Sequence, residues 1–252
     1  MLELEGITGG YRGETKIGPL SITLPKGQIT ALVGPNGCGK STLMKIAAGL
    51  MPPYTGRVLL EGADISGMKP THLARRVAYM AQGRNIPGIL VKNLVLHGRF
   101  PYLGYPRHYR REDTEAAAAA MEQMKIGHLA GRSMAELSGG ERQKAYIAML
   151  LAQGGELLFM DEPTTYLDIN HQLEVMSVIS RLKAMGKTPV LILHDLNLAM
   201  RWADRLAVMQ AGKIRFAGTP QEAFASGILE QVFCVRSGCY QTETDGTQYY
   251  FS

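Results

Sequence analysis

The chain has 252 residues, of which 46% are hydrophobic, so it is long enough to bury one substantial core and a lobe inserted into it. Its 27 Lys and Arg residues against 22 Asp and Glu give a formal charge of +5, and without a polybasic block this excess does not predict a nucleic-acid partner. The apolar runs are too short to span a bilayer, a signal-peptide pattern is missing, and three cysteines suit free thiols in a reducing compartment, so we expect any membrane role to come through a partner.

Two alternating segments near the N-terminus predict the first strands. Residues 2–7 and 20–24 alternate apolar and polar side chains, as half-buried strands do. Tyr11 lies between them and precedes a predicted loop at residues 12–15. A tyrosine near a strand end usually packs against its neighbours, but its ring can also stack on an adenine base.

A glycine-rich loop follows the apolar run at residues 29–33 and precedes helical spacing at residues 43–50. In this context the pattern G-x-x-x-x-G-K-[ST] predicts a phosphate site, because backbone N–H groups and a helix N-terminus converge on the phosphates. We expect Lys40 to reach the β- and γ-phosphates and Ser41 to bind Mg²⁺. The predicted nucleotide-binding residues of this loop are Gly34, Pro35, Asn36, Gly37, Cys38, Gly39, Lys40, Ser41 and Thr42.

A polar amide ends the next predicted strand. Residues 56–60 continue the strand-rich part, residues 70–76 predict a short helix, and residues 77–80 predict the strand that leads to Gln82. Such an amide is often a turn residue. It is also placed to reach Mg²⁺ or an attacking water.

The composition changes between residue 85 and about residue 153, where we predict a helical lobe. A loop rich in proline and aromatic residues at 100–106 is followed by a helix at residues 112–124, in which five consecutive alanines have high helix propensity.

Ser138 and Glu141 have the spacing of a capping box, which predicts a helix start. Gly139 and Gly140 leave the N–H groups of that helix start bare, so the same segment predicts a second anion site. A monomer that binds one nucleotide needs only one such site. The second site therefore suggests a neighbouring subunit.

Carboxylates and a histidine follow two predicted buried strands. Residues 157–160 are all apolar and deliver Asp161 and Glu162 at the strand end, where ligands of α/β sheets collect. Asp161 can hold hydrated Mg²⁺, and Glu162 can activate the water that attacks the γ-phosphate. His194 follows the strand at residues 189–193, where its imidazole can contact the γ-phosphate.

These motifs, in this order and spacing, resemble those of ATP-binding cassette ATPases. The resemblance implies an α/β fold of the P-loop NTPase type, with a RecA-like core, an antiparallel β-subdomain and an inserted α-helical subdomain. It also implies a head-to-tail homodimer that holds two ATP molecules, each between the glycine loop of one subunit and the signature of the other. The matching positions are the A-loop aromatic Tyr11, the Walker A residues 34–42, the Q-loop Gln82, the signature residues Ser138, Gly139, Gly140 and Glu141, the Walker B Asp161 with the catalytic Glu162, the D-loop Asp168 and the H-loop His194.

On this resemblance the whole chain is one ATPase domain with three parts. They are a core with its β-subdomain at residues 1–84 and 156–235, a helical subdomain at residues 85–155, and a short C-terminal tail at residues 236–252.

The stretches at residues 95–101, 161–169 and 194–199 resemble a narrower group, the ATPase subunits of bacterial importers for iron-siderophore complexes, haem and cobalamin. The resemblance implies a peripheral protein at the cytoplasmic face of the inner membrane. It also implies permease subunits that dock on the 82–105 region and a periplasmic or extracellular substrate-binding protein that delivers the chelate.

Other functions for the same ATPase stay open at this point. A soluble cassette ATPase of iron-sulfur assembly fits the size of the chain, although the stretches above match it less well. An exporter subunit fits those stretches poorly. A non-hydrolysing scaffold would lack Glu162 or His194, and both are present.

Overall fold

A computed structural model describes residues 1–82, 88–242 and 246–252. The chain divides into two compact units, one formed by Met1–Gly67 with Thr188–Ser252 and the other by Met68–Lys187. The predicted subdomain boundary between residues 84 and 85 lies outside the described residues, as do residues 83–87 of the predicted permease-binding region and residues 243–245 of the predicted tail. The limits predicted for the three parts therefore stay a prediction.

The described chain contains both strands and helices. The strands are β1 (Leu2–Tyr11), β2 (Glu14–Leu24), β3 (Thr30–Val33), β4 (Thr55–Leu60), β5 (Ala63–Asp64), β6 (Val77–Met80), β7 (Leu157–Asp161), β8 (Thr188–Ile192), β9 (Arg205–Gln210), β10 (Lys213–Gly218), β11 (Ser237–Thr242) and β12 (Gly246–Phe251). The α-helices are α1 (Lys40–Ala47), α2 (Pro70–Arg76), α3 (Val91–His97), α4 (Arg111–Gln123), α5 (Gly139–Gln153), α6 (Ile169–Ala184), α7 (Leu196–Trp202), α8 (Pro220–Ala225) and α9 (Ile228–Phe233).

The first unit contains an antiparallel sheet in the order β2-β1-β4-β5. The predicted N-terminal strands are confirmed, but both are longer than predicted and the loop between them is shorter. Arg12 and Gly13 have φ values of 53° and 83°, the left-handed conformation that a two-residue hairpin turn requires. Pairing therefore continues to Tyr11 opposite Glu14.

A second sheet of the first unit carries the glycine loop. Its strands lie in the order β10-β9-β3-β8, with β3 parallel to both β8 and β9 and β10 antiparallel to β9. All four residues of β3 and all five of β8 are buried, as expected for apolar strands covered on both faces. Leu32 pairs with Ile192, so the ends of β3 and β8 lie side by side.

The second unit contains the parallel pair β6 and β7, with Val77 opposite Leu157 and Met80 opposite Met160. Helix α5 packs against α3, α4 and α6. The predicted helix at residues 112–124 is present as α4, which begins and ends one residue earlier than predicted. Two of its alanines, Ala117 and Ala120, are buried.

The predicted C-terminal tail folds into a hairpin of β11 and β12. Tyr249 of β12 packs against Phe224 of α8 with the ring centroids 4.8 Å apart. The hairpin is thereby attached to the first unit.

Candidate functional site

The glycine loop leads from β3 into α1 in the first unit. Gly37 and Gly39 have φ values of 76° and 104°, and a Cβ at Gly39 would collide with the side chain of Ile17, so this backbone path favours glycine. Gly39 is the N-cap of α1, and among the described residues no side chain caps that helix start. The backbone N–H groups of the first turn are therefore available to an anion.

Lys40 is buried and folds back over the loop. Its Nζ donates to the carbonyl oxygens of Gly34, at 2.7 Å, and Pro35, at 3.0 Å. The ammonium group is therefore held above the loop, where it can meet phosphate oxygens. Burial raises the pKa of the Cys38 thiol, although the nearby Lys40 charge acts in the opposite direction, so this thiol stays protonated at neutral pH.

Tyr11 lies at the end of β1 with about half of its surface exposed. Lys45 of α1 donates from Nζ to the Tyr11 hydroxyl at 3.3 Å, and the same ammonium is 5.7 Å from the ring centroid. The turn after Tyr11 is held by Tyr54, whose hydroxyl accepts the Gly13 N–H at 3.1 Å. Sequence reasoning missed Tyr54, because a tyrosine after two prolines carries no sign of a contact made 41 residues away.

His194 follows β8, and it is exposed. The Leu193 N–H donates to the Leu32 carbonyl at 3.3 Å, which keeps the chain before His194 beside the end of β3. Asp195 caps α7 by accepting the N–H of Asn197 at 2.7 Å. The glycine loop and His194 thus follow neighbouring strand ends in one unit.

The second unit brings Gln82 and Glu162 together. Gln82 follows β6 and Glu162 follows β7, and the Gln82 Nε2 donates to Glu162 Oε2 at 2.6 Å. Thr165 Oγ1 donates to the same carboxylate oxygen at 2.9 Å. Glu162 has a φ of 54°, which a glutamate seldom adopts, so local strain accompanies this geometry.

Asp161 is the last residue of β7 and is 2% exposed. The Tyr79 hydroxyl of β6 donates to Asp161 Oδ2 at 3.1 Å. Sequence reasoning missed Tyr79, since its place in an apolar strand indicated packing. The two parallel strands β6 and β7 therefore place the Tyr79 hydroxyl, as well as two carboxylates, at this edge of the sheet.

The predicted capping box at the start of α5 is confirmed. Ser138 Oγ accepts the Glu141 N–H at 3.3 Å, and Glu141 Oε2 accepts the Ser138 N–H at 2.9 Å. These two residues are exposed or half-exposed, and the hydrogen bonds from Ser138 lower the pKa of the Glu141 carboxyl. A carboxylate is therefore fixed beside the proposed second anion site.

Gly139 and Gly140 face the segment that begins α6. A Cβ at Gly140 would collide with the His171 ring, and a Cβ at Gly139 would come within 3.3 Å of Leu167. His171 Nδ1 lies 2.8 Å from Asp168 Oδ1, and the backbone N–H of His171 donates to the same oxygen at 2.9 Å. These contacts lower the pKa of Asp168. The structure thus brings the glycines of residues 138–141 next to Asp168, through a histidine that sequence reasoning missed.

The predicted site residues are therefore divided between the units. Tyr11, residues 34–42 and His194 belong to the first unit, and Gln82, residues 138–141, Asp161, Glu162 and Asp168 belong to the second. Across residues 1–82, 88–242 and 246–252, no group of three or more His, Cys, Asp and Glu side chains could hold a metal by itself. None of the helices described is both long enough and apolar enough to cross a bilayer.

Comparison with known proteins relates this geometry to a family. A family model described as "ABC transporter" matches residues 17–165. The ferric enterobactin transport ATP-binding protein FepC of Escherichia coli strain K12 is 41% identical over 245 residues, covering 96% of this chain and 90% of that protein. The "Probable siderophore transport system ATP-binding protein YusV" of Bacillus subtilis strain 168 is 40% identical over 248 residues, covering 98% of this chain and 90% of that protein.

The fold agrees with this relationship. A crystal structure of the ADP conformation of MJ1267, an ATP-binding cassette of an ABC transporter, superposes with a TM-score of 0.82 at 26% identity, covering 93% of this chain and 98% of that one.

Proposed function

This chain belongs to the ABC transporter family of ATP-binding proteins, and from that membership we propose that it hydrolyses ATP to drive uptake of a metal chelate across the cytoplasmic membrane. Iron-siderophore complexes are the cargo that the relatives favour, because the two similar proteins named above serve a ferric enterobactin system and a siderophore system. Haem and cobalamin remain within the predicted cargo class.

The observation that carries the catalytic proposal is the 2.6 Å hydrogen bond between Gln82 and Glu162 at the ends of two parallel strands. We assign Glu162 as the general base that takes a proton from the attacking water, because its carboxylate follows a buried strand in a fixed turn. Gln82 positions that carboxylate through the hydrogen bond that its Nε2 donates. His194 is assigned to the γ-phosphate, which its imidazole can contact by hydrogen bonding.

Binding of ATP is assigned to the first unit. The loop at residues 34–42 presents bare N–H groups and the Lys40 ammonium to the phosphates, and the exposed half of the Tyr11 ring stacks on the adenine.

The residues assigned to Mg²⁺ are Ser41, Gln82 and Asp161. A hydroxyl, an amide oxygen and a carboxylate are hard oxygen ligands of the kind that Mg²⁺ prefers, and Asp161 is buried at a strand end, where ligands of α/β sheets collect. These residues would hold the ion beside ATP, where its positive charge would neutralise part of the charge on the phosphates.

We further propose that two copies of the chain share two ATP sites. Ser138 caps the start of α5, and Gly139 and Gly140 have no side chains to cover its first backbone N–H groups. We assign this helix start as a second anion site, which in a head-to-tail homodimer binds the nucleotide of the other copy. The residues that would then contact the nucleotide of the other copy are Ser138, Gly139, Gly140 and Glu141. Asp168, which lies next to them, would be placed near the same nucleotide.

The remaining partners follow from the importer role. Permease subunits dock on the 82–105 region and hold the chain at the cytoplasmic face of the membrane, and a separate binding protein delivers the chelate. Closure of the ATPase pair on ATP reorients the permease, and hydrolysis reopens it.

The test is to tag the Glu162→Gln form, solubilise native membranes in mild detergent with Mg-ATP and identify what co-purifies. Recovery with a polytopic membrane protein supports the importer role, and ligand tests on that protein identify the cargo. Recovery only from the soluble fraction, alone or with iron-sulfur assembly proteins, overturns that role and leaves the ATPase assignment in place.

A further inference from the structure

An exposed loop at residues 104–111, whose last residue Arg111 is also the first residue of α4, lies between two fixed ends in the second unit. Arg99 before the loop donates from Nε to Asp113 Oδ1 after it at 3.0 Å, and the two side chains are only 14% and 6% exposed. The Arg99 guanidinium also lies 3.5 Å from the Tyr102 ring centroid, and the Tyr102 hydroxyl donates to the Gln153 carbonyl at 3.0 Å. The loop is therefore anchored at its base.

Every residue from 104 to 111 is exposed, and the loop carries three arginines, a histidine and no carboxylate. Arg111 is paired with Glu115 at 2.6 Å, and the charge of Arg110 acts on the nearby Asp113 carboxylate, so the positive charge of the loop depends mainly on Arg107 and in part on Arg110. The acidic residue that follows directly, Glu112, belongs to the first turn of α4. The loop thus presents a small cationic surface.

Aromatic rings accompany these cations. Tyr105 is 99% exposed, Tyr109 is 37% exposed, and the Arg107 guanidinium lies 4.7 Å from the ring centroid of Phe100, which is itself 50% exposed. The Tyr105 ring, which lies almost fully in water, gains nothing from burial within the unit. Tyrosine rings beside arginines are suited to a membrane interface, where the ring sits at headgroup level and the cations meet anionic lipid.

We propose that residues 104–111 bind the anionic lipid headgroups of the membrane surface. The inference rests on the proposed function, which brings this chain to the cytoplasmic face of a membrane. Charge complementarity favours lipid as the occupant, because Arg107 and Arg110 lie among exposed aromatic rings, a combination that suits a membrane interface. The anionic cytoplasmic leaflet attracts them.

The experiment measures co-sedimentation of the full chain with two kinds of vesicle, one of phosphatidylcholine alone and one of equal parts phosphatidylcholine and phosphatidylglycerol. The wild-type chain is expected to bind only the anionic vesicles, and less at high salt. Arg107→Gln with Arg110→Gln should lower the partition coefficient roughly 25-fold, at about fivefold per arginine. Tyr105→Ser should lower it further without changing the salt dependence.

The matched control is Lys125→Gln with Lys213→Gln, which removes the same charge from two exposed lysines elsewhere and should leave binding within about twofold of wild type. Basal ATP hydrolysis should be unchanged in both pairs. An equal loss in the control pair would show that only net charge matters and would overturn the site, as would equal binding to both vesicles.

Two outcomes separate this proposal from the proposed function. If wild type ignores anionic vesicles while Glu162→Gln still co-purifies with a permease, the lipid site is wrong and the importer role stands. If the arginine pair loses the permease but keeps the vesicles, the loop is a protein contact and the lipid site is again wrong. Vesicle binding that depends on the loop, in a chain that recovers no permease, supports the loop while the importer role fails.

Discussion

Replacing Asp113 by asparagine removes the negative charge that anchors the loop at residues 104–111. The Asp113 carboxylate accepts Arg99 Nε at 3.0 Å and the Arg110 N–H at 2.9 Å, the second bond closing the start of α4. Asparagine keeps the shape but leaves the Arg99 guanidinium, only 14% exposed, without its counter-charge. Breaking a buried pair in this way costs about 3 kcal/mol of unfolding free energy.

The loss of unfolding free energy caused by Asp113→Asn should become smaller as the pH falls. Burial alone would raise the pKa of Asp113, but the hydrogen bonds from Arg110 and Arg99 and the Arg99 charge outweigh it and hold the pKa below its ordinary value. A lowered pKa in the folded state means that the carboxylate contributes stability above the unfolded pKa of about 4, and that this contribution is lost as the pH falls through the folded value.

The assay is urea unfolding followed by circular dichroism, comparing wild type and Asp113→Asn at about pH 7 and about pH 3. The difference in unfolding free energy should be about 3 kcal/mol at neutral pH and should narrow at acid pH. Glu115→Gln is the matched control, since its partner Arg111 is 90% exposed, and it should cost less than about 0.5 kcal/mol. The reasoning would be refuted if both variants lost the same unfolding free energy. It would also be refuted if the difference between wild type and Asp113→Asn were the same at both pH values.

Three further substitutions test the assigned site. Lys40→Ala should weaken ATP binding roughly tenfold or more, measured by titration with a fluorescent ATP analogue, because a charge-assisted contact to phosphate is lost; unchanged affinity would contradict the phosphate role. Ser138→Arg should abolish steady-state hydrolysis and leave ATP binding intact, since only the site of the other copy is blocked; normal turnover would exclude the shared-site dimer. Tyr11→Ala should raise the dissociation constant for ATP roughly tenfold and change that for inorganic triphosphate little, because stacking on the base is lost; a loss of equal size for both ligands would show that Tyr11 is only structural.

Local chemistry made much of the fold predictable. The capping box of Ser138 and Glu141, the apolar β7 before Asp161 and the glycine loop before α1 each depend on neighbours within a few residues, and the structure has all three. The start of α1 at Lys40 rather than residue 43 was not predicted, because apolar spacing begins only after the polar first turn.

Contacts between distant segments were not predictable in the same way. The bond of Tyr54 to Gly13, the Tyr79 bond to Asp161 and the packing of His171 on Gly140 each join residues that only the folded chain brings together. The C-terminal hairpin was expected as a simple tail, because its alternation is interrupted by polar and glycine residues on exposed strands. The roles of the site residues rest on the family pattern and stay proposals.

The most direct test of the central claim compares steady-state ATP hydrolysis by wild type and Glu162→Gln, together with the size of each in Mg-ATP by gel filtration. If Glu162 is the general base of a site shared by two copies, the variant should hydrolyse ATP at least about 100-fold more slowly and accumulate as a nucleotide-bound dimer. Hydrolysis at the wild-type rate, or a variant that stays monomeric with ATP bound, would contradict the account.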